Sequence, residues 1–173
     1  NGADISEITA LTFTKKAANE MKERIIKTFL NLHGEDKKSE RKALAEEWVK
    51  QAPQGFKVIV HVGSCCLRES VELARHAAEI GAWGIGAMAP PFPRINRIEE
   101  LVKYCEQIAN AAPQLPFYYY HIPAFNGAFL PMLDLLKAVD GRIPNFAGIK
   151  YTYESLYEYN QCRLYGNGKF DML

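Results

Sequence analysis

From residue 40 onward the apolar positions alternate between two rhythms: short solid runs, and longer stretches where they recur every three or four residues. The solid runs predict strands buried on both faces, and the longer stretches predict amphipathic helices. Strands are expected over 56–62, 84–89, 117–123 and 146–150, with another beginning at 170–173. Helices are expected between them. One covers 67–81, where Leu67, Val71, Ala74 and Ala78 share a face and Gly81 stops the run. A second covers 97–111 through Leu101, Tyr104, Cys105 and Ile108, and two more cover 130–139 and 153–164. Ahead of the series, residues 40–52 predict a helix with Leu44, Trp48 and Val49 on one side, ended by Pro53 and Gly55.

Strands apolar on both faces and joined through helices must run parallel, with right-handed crossovers. This places the chain in the α/β class and leaves two architectures open, a doubly wound sheet or an arc of a (β/α)8 barrel. In both, chemistry gathers at the carboxyl ends of the strands. A complete barrel takes about 250 residues, more than the 173 of this chain. The first 38 residues follow a different pattern, a strand over 8–13, a helix over 14–32 capped by Thr14, then a polar loop. The expected division is therefore a segment 1–38 and a domain 39–173.

Two carboxyl-terminal strand positions carry candidate chemistry. Lys150 closes Phe146-Ala147-Gly148-Ile149-Lys150, and Tyr120 stands near the end of Phe117-Tyr118-Tyr119-Tyr120-His121-Ile122-Pro123. An amine held partly out of water loses its charge more readily and can attack a carbonyl. The plainer alternative is a lysine whose stem covers the sheet rim while its head stays solvated. Composition narrows the field: 48% hydrophobic residues suit a real core, and a net charge of +1 gives no field favouring nucleic acid or membranes. No apolar run approaches the roughly 20 residues of a bilayer span, and no secretory signal is read at the start. Cys65, Cys66, Cys105 and Cys162 lack C-x-x-C spacing and read as thiols of a reducing cytoplasm, with burial expected for the adjacent pair. His33, His61, His76 and His121 lack metal-ligand spacing, and His61 is expected as a hydrogen-bonded filler of the barrel interior. The tyrosines Tyr151, Tyr153, Tyr157, Tyr159 and Tyr165 read as core and rim packing.

Several strings together carry a resemblance. They are Glu40-Arg41-Lys42-Ala43-Leu44-Ala45-Glu46-Glu47-Trp48-Val49, Val60-His61-Val62-Gly63, His76-Ala77-Ala78-Glu79-Ile80-Gly81-Ala82, Pro116-Phe117-Tyr118-Tyr119-Tyr120-His121-Ile122-Pro123-Ala124 and Gly148-Ile149-Lys150-Tyr151-Thr152. From about residue 39 the chain resembles the class I aldolases of the dihydrodipicolinate synthase and N-acetylneuraminate lyase family, with the tyrosine-rich strand favouring the lyase branch. The resemblance implies a partial TIM barrel, first and last units missing or replaced, and reversible aldol cleavage through a Schiff base. By matching position, Lys150 would form the imine with pyruvate or a sialic acid, Tyr120 would move protons, and Thr152 would contact substrate. No metal or diffusible cofactor is implied, and a homo-oligomer is. Where the family has a G-[ST]-T-G-E loop for the substrate carboxylate, this chain reads Leu32-His33-Gly34-Glu35. Gly34 keeps the backbone contact, the hydroxyls are gone, and impaired activity is expected.

A second resemblance covers residues 5–32. Ala10-Leu11-Thr12-Phe13-Thr14-Lys15-Lys16-Ala17-Ala18-Asn19-Glu20-Met21 is similar to a DNA-contacting motif of superfamily 1 helicases. No phosphate-binding G-x-x-x-x-G-K-[ST] accompanies it, so ATP hydrolysis is not implied. The alternatives to an aldolase are a single-stranded DNA-binding module using Thr12, Thr14, Lys15 and Lys16, or a non-catalytic chimeric fragment.

Overall fold

The computed structural model describes residues 37–173. The elements expected over 8–32, the helicase-like motif and Gly34 lie outside the described residues. The chain divides into two compact units, Asn1–Val58 and Ile59–Leu173. In the first, helix α1 (Lys37–Gln51) buries Ala45 and half-buries Leu44, Trp48 and Val49. Its last turn is tied by the Gln51 amide donating to Glu47 at 2.8 Å.

In the second unit, β1 (Ile59–His61), β2 (Gly84–Ala87), β3 (Phe117–His121), β4 (Phe146–Tyr151) and β5 (Asp171–Met172) form one sheet. Every neighbouring pair is parallel, and the spatial order is the chain order. A doubly wound sheet reverses its order at a switch point. Here the order never reverses, so right-handed crossovers place every connecting helix on the same face. That is an arc of a (β/α)8 barrel, and strand order decides what periodicity left open.

The connections are α2 (Leu67–Glu79), α3 (Ile98–Ala109), the single turn α4 (Pro123–Asn126), α5 (Met132–Val139) and α6 (Leu156–Leu164). Helix α2 packs on α3, α3 on α5, and α5 on α6. Their buried positions follow the helical period: Leu73, Ala74 and Ala77 on α2, Leu101, Tyr104, Cys105 and Ile108 on α3, and Met132, Leu135, Leu136 and Val139 on α5. They close over Phe117, Tyr119 and Ile149, all fully buried. Each large aliphatic or phenylalanine side chain so placed contributes about 1.5–3 kcal/mol.

The boundaries shift from expectation for local reasons. The strand expected over 56–62 is shortened to Ile59–His61, with the Val62 amide just past it donating to the Gly86 carbonyl at 2.8 Å. The helix expected from 153 begins at Leu156, where the Ser155 hydroxyl accepts the Glu158 amide at 3.4 Å. The turn α4 was not anticipated. Its Asn126 is 3% exposed, donates to the Ala89 carbonyl (3.1 Å) and accepts from the Ala128 amide (3.0 Å). The loop after β3 is thereby fastened to the loop after β2. Among the described residues, no helix is long and apolar enough to cross a membrane.

Candidate functional site

Alternation along the strands gives the sheet two different faces. One meets the helices and carries Phe117, Tyr119, His121 and Ile149. The other carries Ile59 and His61 of β1, Gly84 and Gly86 of β2, Tyr118 and Tyr120 of β3, and Gly148 and Lys150 of β4. Glycines alternate with large side chains across this face, so long groups reach over a strand to the next one but one. Tyr118, Gly148 and Asp171 stand side by side in register. The Tyr118 phenol crosses the bare Gly148 to donate to Asp171 Oδ2 at 2.7 Å. Burial first, then that carboxylate, pushes the Tyr118 phenol above its usual range.

Tyr120 and Lys150 are register partners on β3 and β4. The Lys150 Nζ lies over the Tyr120 ring, 3.6 Å from its centroid. Hydrogen bonding by Lys150, and next by Thr152, holds the Tyr120 phenol below its ordinary value. The backbone carries Thr152 to this place: its amide donates to the His121 carbonyl at 2.8 Å, extending the β3–β4 ladder past the strand end. Three of the four residues expected in the site, Lys150, Tyr120 and Thr152, thus converge at the carboxyl ends of two adjacent strands. The expectation of a partly dry amine is not met. Lys150 is exposed, and the helices that connect the strands lie on the opposite face of the sheet. What distinguishes it from a rim lysine is the aromatic face beneath its charge.

Behind the site, the Tyr151 phenol donates to Glu158 Oε2 at 2.6 Å. The other oxygen of Glu158 accepts the Met132 amide at 2.8 Å, at the start of α5. The end of β4 is thus tied to two helices through one carboxylate. His121 is 1% exposed and stacks against Tyr151, with ring centroids 5.2 Å apart. Beside Thr152 opens a pocket of about 670 Å³, lined also by Ala124, Phe129, Tyr151, Tyr153 and Glu154.

The sequence reading missed or misplaced several groups. His61, expected inside the core, is exposed and meets Tyr120 edge-on, 6.4 Å between centroids at 83°. Its V-H-V-G string carried the family resemblance but no hint of this contact. Cys65 and Cys66, expected to be buried, are both exposed, whereas Cys105 and Cys162 are buried. The turn from β1 into α2 keeps the adjacent pair out of the helix-to-sheet contact. Of the five later tyrosines, Tyr151, Tyr159 and Tyr165 pack as expected, and Tyr153 and Tyr157 are 38% and 77% exposed.

Comparison with known proteins places this geometry. The dihydrodipicolinate synthetase family model matches residues 16–173, and so takes in the latter part of the helicase-like segment. Over 125 residues the chain is 45% identical to N-acetylneuraminate lyase of Rattus norvegicus, covering 72% of this chain and 39% of that protein. The chain therefore spans about two fifths of the length of such relatives. Among solved structures, the N-acetylneuraminate lyase (sialic acid aldolase) of Aliivibrio salmonicida superposes with a TM-score of 0.78 at 34% identity, over 91% of this chain and 55% of that one. A catalytic-lysine mutant of the Ruminococcus gnavus sialic acid aldolase superposes with a TM-score of 0.71 at 26% identity, over 80% of this chain and 44% of that one. With strand order, site placement and family match in agreement, this chain belongs to the dihydrodipicolinate synthetase family.

Proposed function

We propose that the chain carries the imine-forming centre of a class I aldolase of the N-acetylneuraminate lyase type, cleaving N-acetylneuraminate to N-acetylmannosamine and pyruvate. The observation that carries the proposal is the Lys150 amine lying over the ring of a phenol whose proton it helps to loosen. In this reading the uncharged amine of Lys150 adds to the keto carbon and water leaves, giving an iminium. The iminium draws electrons from the neighbouring carbon, so the scissile bond breaks to an enamine rather than a bare carbanion. Tyr120 accepts the proton of the substrate hydroxyl beside that bond, and a phenol with a lowered pKa is the better base for the task at neutral pH. The Thr152 hydroxyl orients substrate against the phenol. All bonds are made to Lys150, so the reading requires no cofactor.

Trapping tests this with the amine and a keto acid alone. Pyruvate with borohydride is expected to add one reduced pyruvyl group, mapped by mass spectrometry to Lys150. A folded sample left unmodified there, or modified equally at other lysines, would refute it. The same reading takes the protein as a cytoplasmic homo-oligomer acting on a small keto acid, and sedimentation of the full chain tests the assembly.

A further inference from the structure

Tyr120 is contacted from three directions by polar groups. Lys150 on β4 covers a ring face, Thr152 just beyond β4 helps to hold the phenol below its ordinary pKa, and the His61 ring on β1 packs at right angles to it. The third contact crosses the intervening strand β2 on a diagonal: Gly86 of β2 is the register partner of His61 and of Tyr118, and Tyr120 stands two residues further along β3. Gly63 lies under the imidazole itself: a Cβ there would stand 2.9 Å from His61 Cε1 and 3.2 Å from Nε2. Any other residue at 63 would push the ring from its seat. The imidazole is therefore folded back over Gly63 and held at right angles to the Tyr120 ring, an arrangement that edge-to-face quadrupoles favour.

We propose that His61 is a positioning residue, fixing the Tyr120 ring so that its phenol stays beside Thr152 and its face stays under the Lys150 amine. Tyr120 is only half-buried, so packing leaves part of its rotation unconstrained, and His61 closes the β1 side. The role goes beyond the aldolase proposal while resting on its choice of Lys150 and Tyr120 as the reacting pair. Small displacements of reacting groups are costly, on the order of a hundredfold in rate per ångström. Part of that loss, about tenfold, is the expected effect of releasing one side of the ring.

The test uses the full chain with ¹³C-labelled tyrosine, the Tyr120 Cζ resonance being assigned by its loss in Tyr120→Phe. In His61→Ala the Tyr120 phenol should titrate at higher pH than in wild type, since the ring drifts from Lys150 and Thr152. The pyruvate–borohydride adduct at Lys150 should form about tenfold more slowly. His61→Phe, which keeps an aromatic edge but no titrating nitrogen, should restore both readouts. If His61→Ala fails to fold, Gly63→Ala displaces the same imidazole and should give the same two changes. An unchanged Tyr120 titration in the folded alanine variant overturns the proposal. So does failure of the phenylalanine variant to rescue, which would mean that the imidazole acts through its own nitrogen. Should wild type form no adduct at all, the aldolase reading falls, and the titration arm still decides whether His61 holds Tyr120.

Discussion

Gly148→Ala should destabilise the protein far more than an ordinary strand substitution. Gly148 has no unusual backbone angle to explain its identity, since it is absent from the positive-φ glycines. Its constraint is a neighbour: a Cβ built there falls 2.1 Å from the Asp171 carbonyl oxygen and 2.8 Å from its carbon. Those are backbone atoms of β5, so relief requires moving the strand rather than turning a side chain. Besides its ladder with β4, β5 is held by bonds at its end and from two phenols. The Leu173 amide donates to Ile149 (3.0 Å), the Tyr151 amide to Leu173 (2.8 Å), the Tyr118 phenol to Asp171 (2.7 Å) and the Tyr159 phenol to Met172 (3.3 Å). Loosening all four at about 1 kcal/mol each would cost about 4 kcal/mol, and tolerating the overlap about 1–3 kcal/mol, so a loss of roughly 3 kcal/mol is expected. For a chain of this size that lowers Tm by roughly 6–12 °C.

Gly86→Ala supplies the comparison, because its Cβ would meet nothing closer than the Tyr118 carbonyl at 3.5 Å. Thermal melts of both variants, with hydrogen exchange at the Leu173 and Tyr151 amides, check the mechanism. Gly148→Ala should lose protection at both amides, and Gly86→Ala should melt within about 2 °C of wild type. Equal losses in the two variants, or a Gly148→Ala protein as stable as wild type, would refute the close approach of β5.

Three further outcomes follow from the same geometry. Burial lowers the His121 imidazole to about 4, with the Glu158 charge opposing. The unfolded chain takes up the extra proton first, so stability is full above about pH 6.5 and falls by up to about 3 kcal/mol as pH drops toward 4; Tm against pH should show that loss, and His121→Phe should flatten it. The Asn145 amide faces the carbonyls of Ala109, Ala112 and Leu115 at 3.2, 3.2 and 2.9 Å, so Asn145→Ala should cost about 1–3 kcal/mol, read as a lower urea midpoint at unchanged slope. Tyr120→Phe keeps the amine and removes the base of the cleavage step, so the borohydride-trapped pyruvate adduct should still map to Lys150 while cleavage of N-acetylneuraminate slows about a hundredfold.

Much of the fold was legible in the chain. The period of Leu101, Tyr104, Cys105 and Ile108 announces α3 because a helix buries one stripe, and that rule is local. The solid run Phe117–His121 announces a strand covered on both sides, and the parallel arrangement follows from the helical connections. Lys150 and Tyr120 were reachable because each stands at or near the end of a recognisable strand, and Thr152 through the family resemblance. The short α4 escaped notice because one turn has no period to detect, and its anchor, Asn126 to Ala89, joins two loops far apart in sequence.

Sequence alone thus determined the strands, the helices and which rim holds Lys150 and Tyr120, since periodicity and chain direction are properties of neighbouring residues. Only the tertiary structure decided that the sheet curves in chain order, that Lys150 is exposed over an aromatic face, and that His61 reaches Tyr120 across β2. These depend on which strand lies beside which and in what register. Hydrogen bonds between distant segments set that register, and no local pattern encodes it.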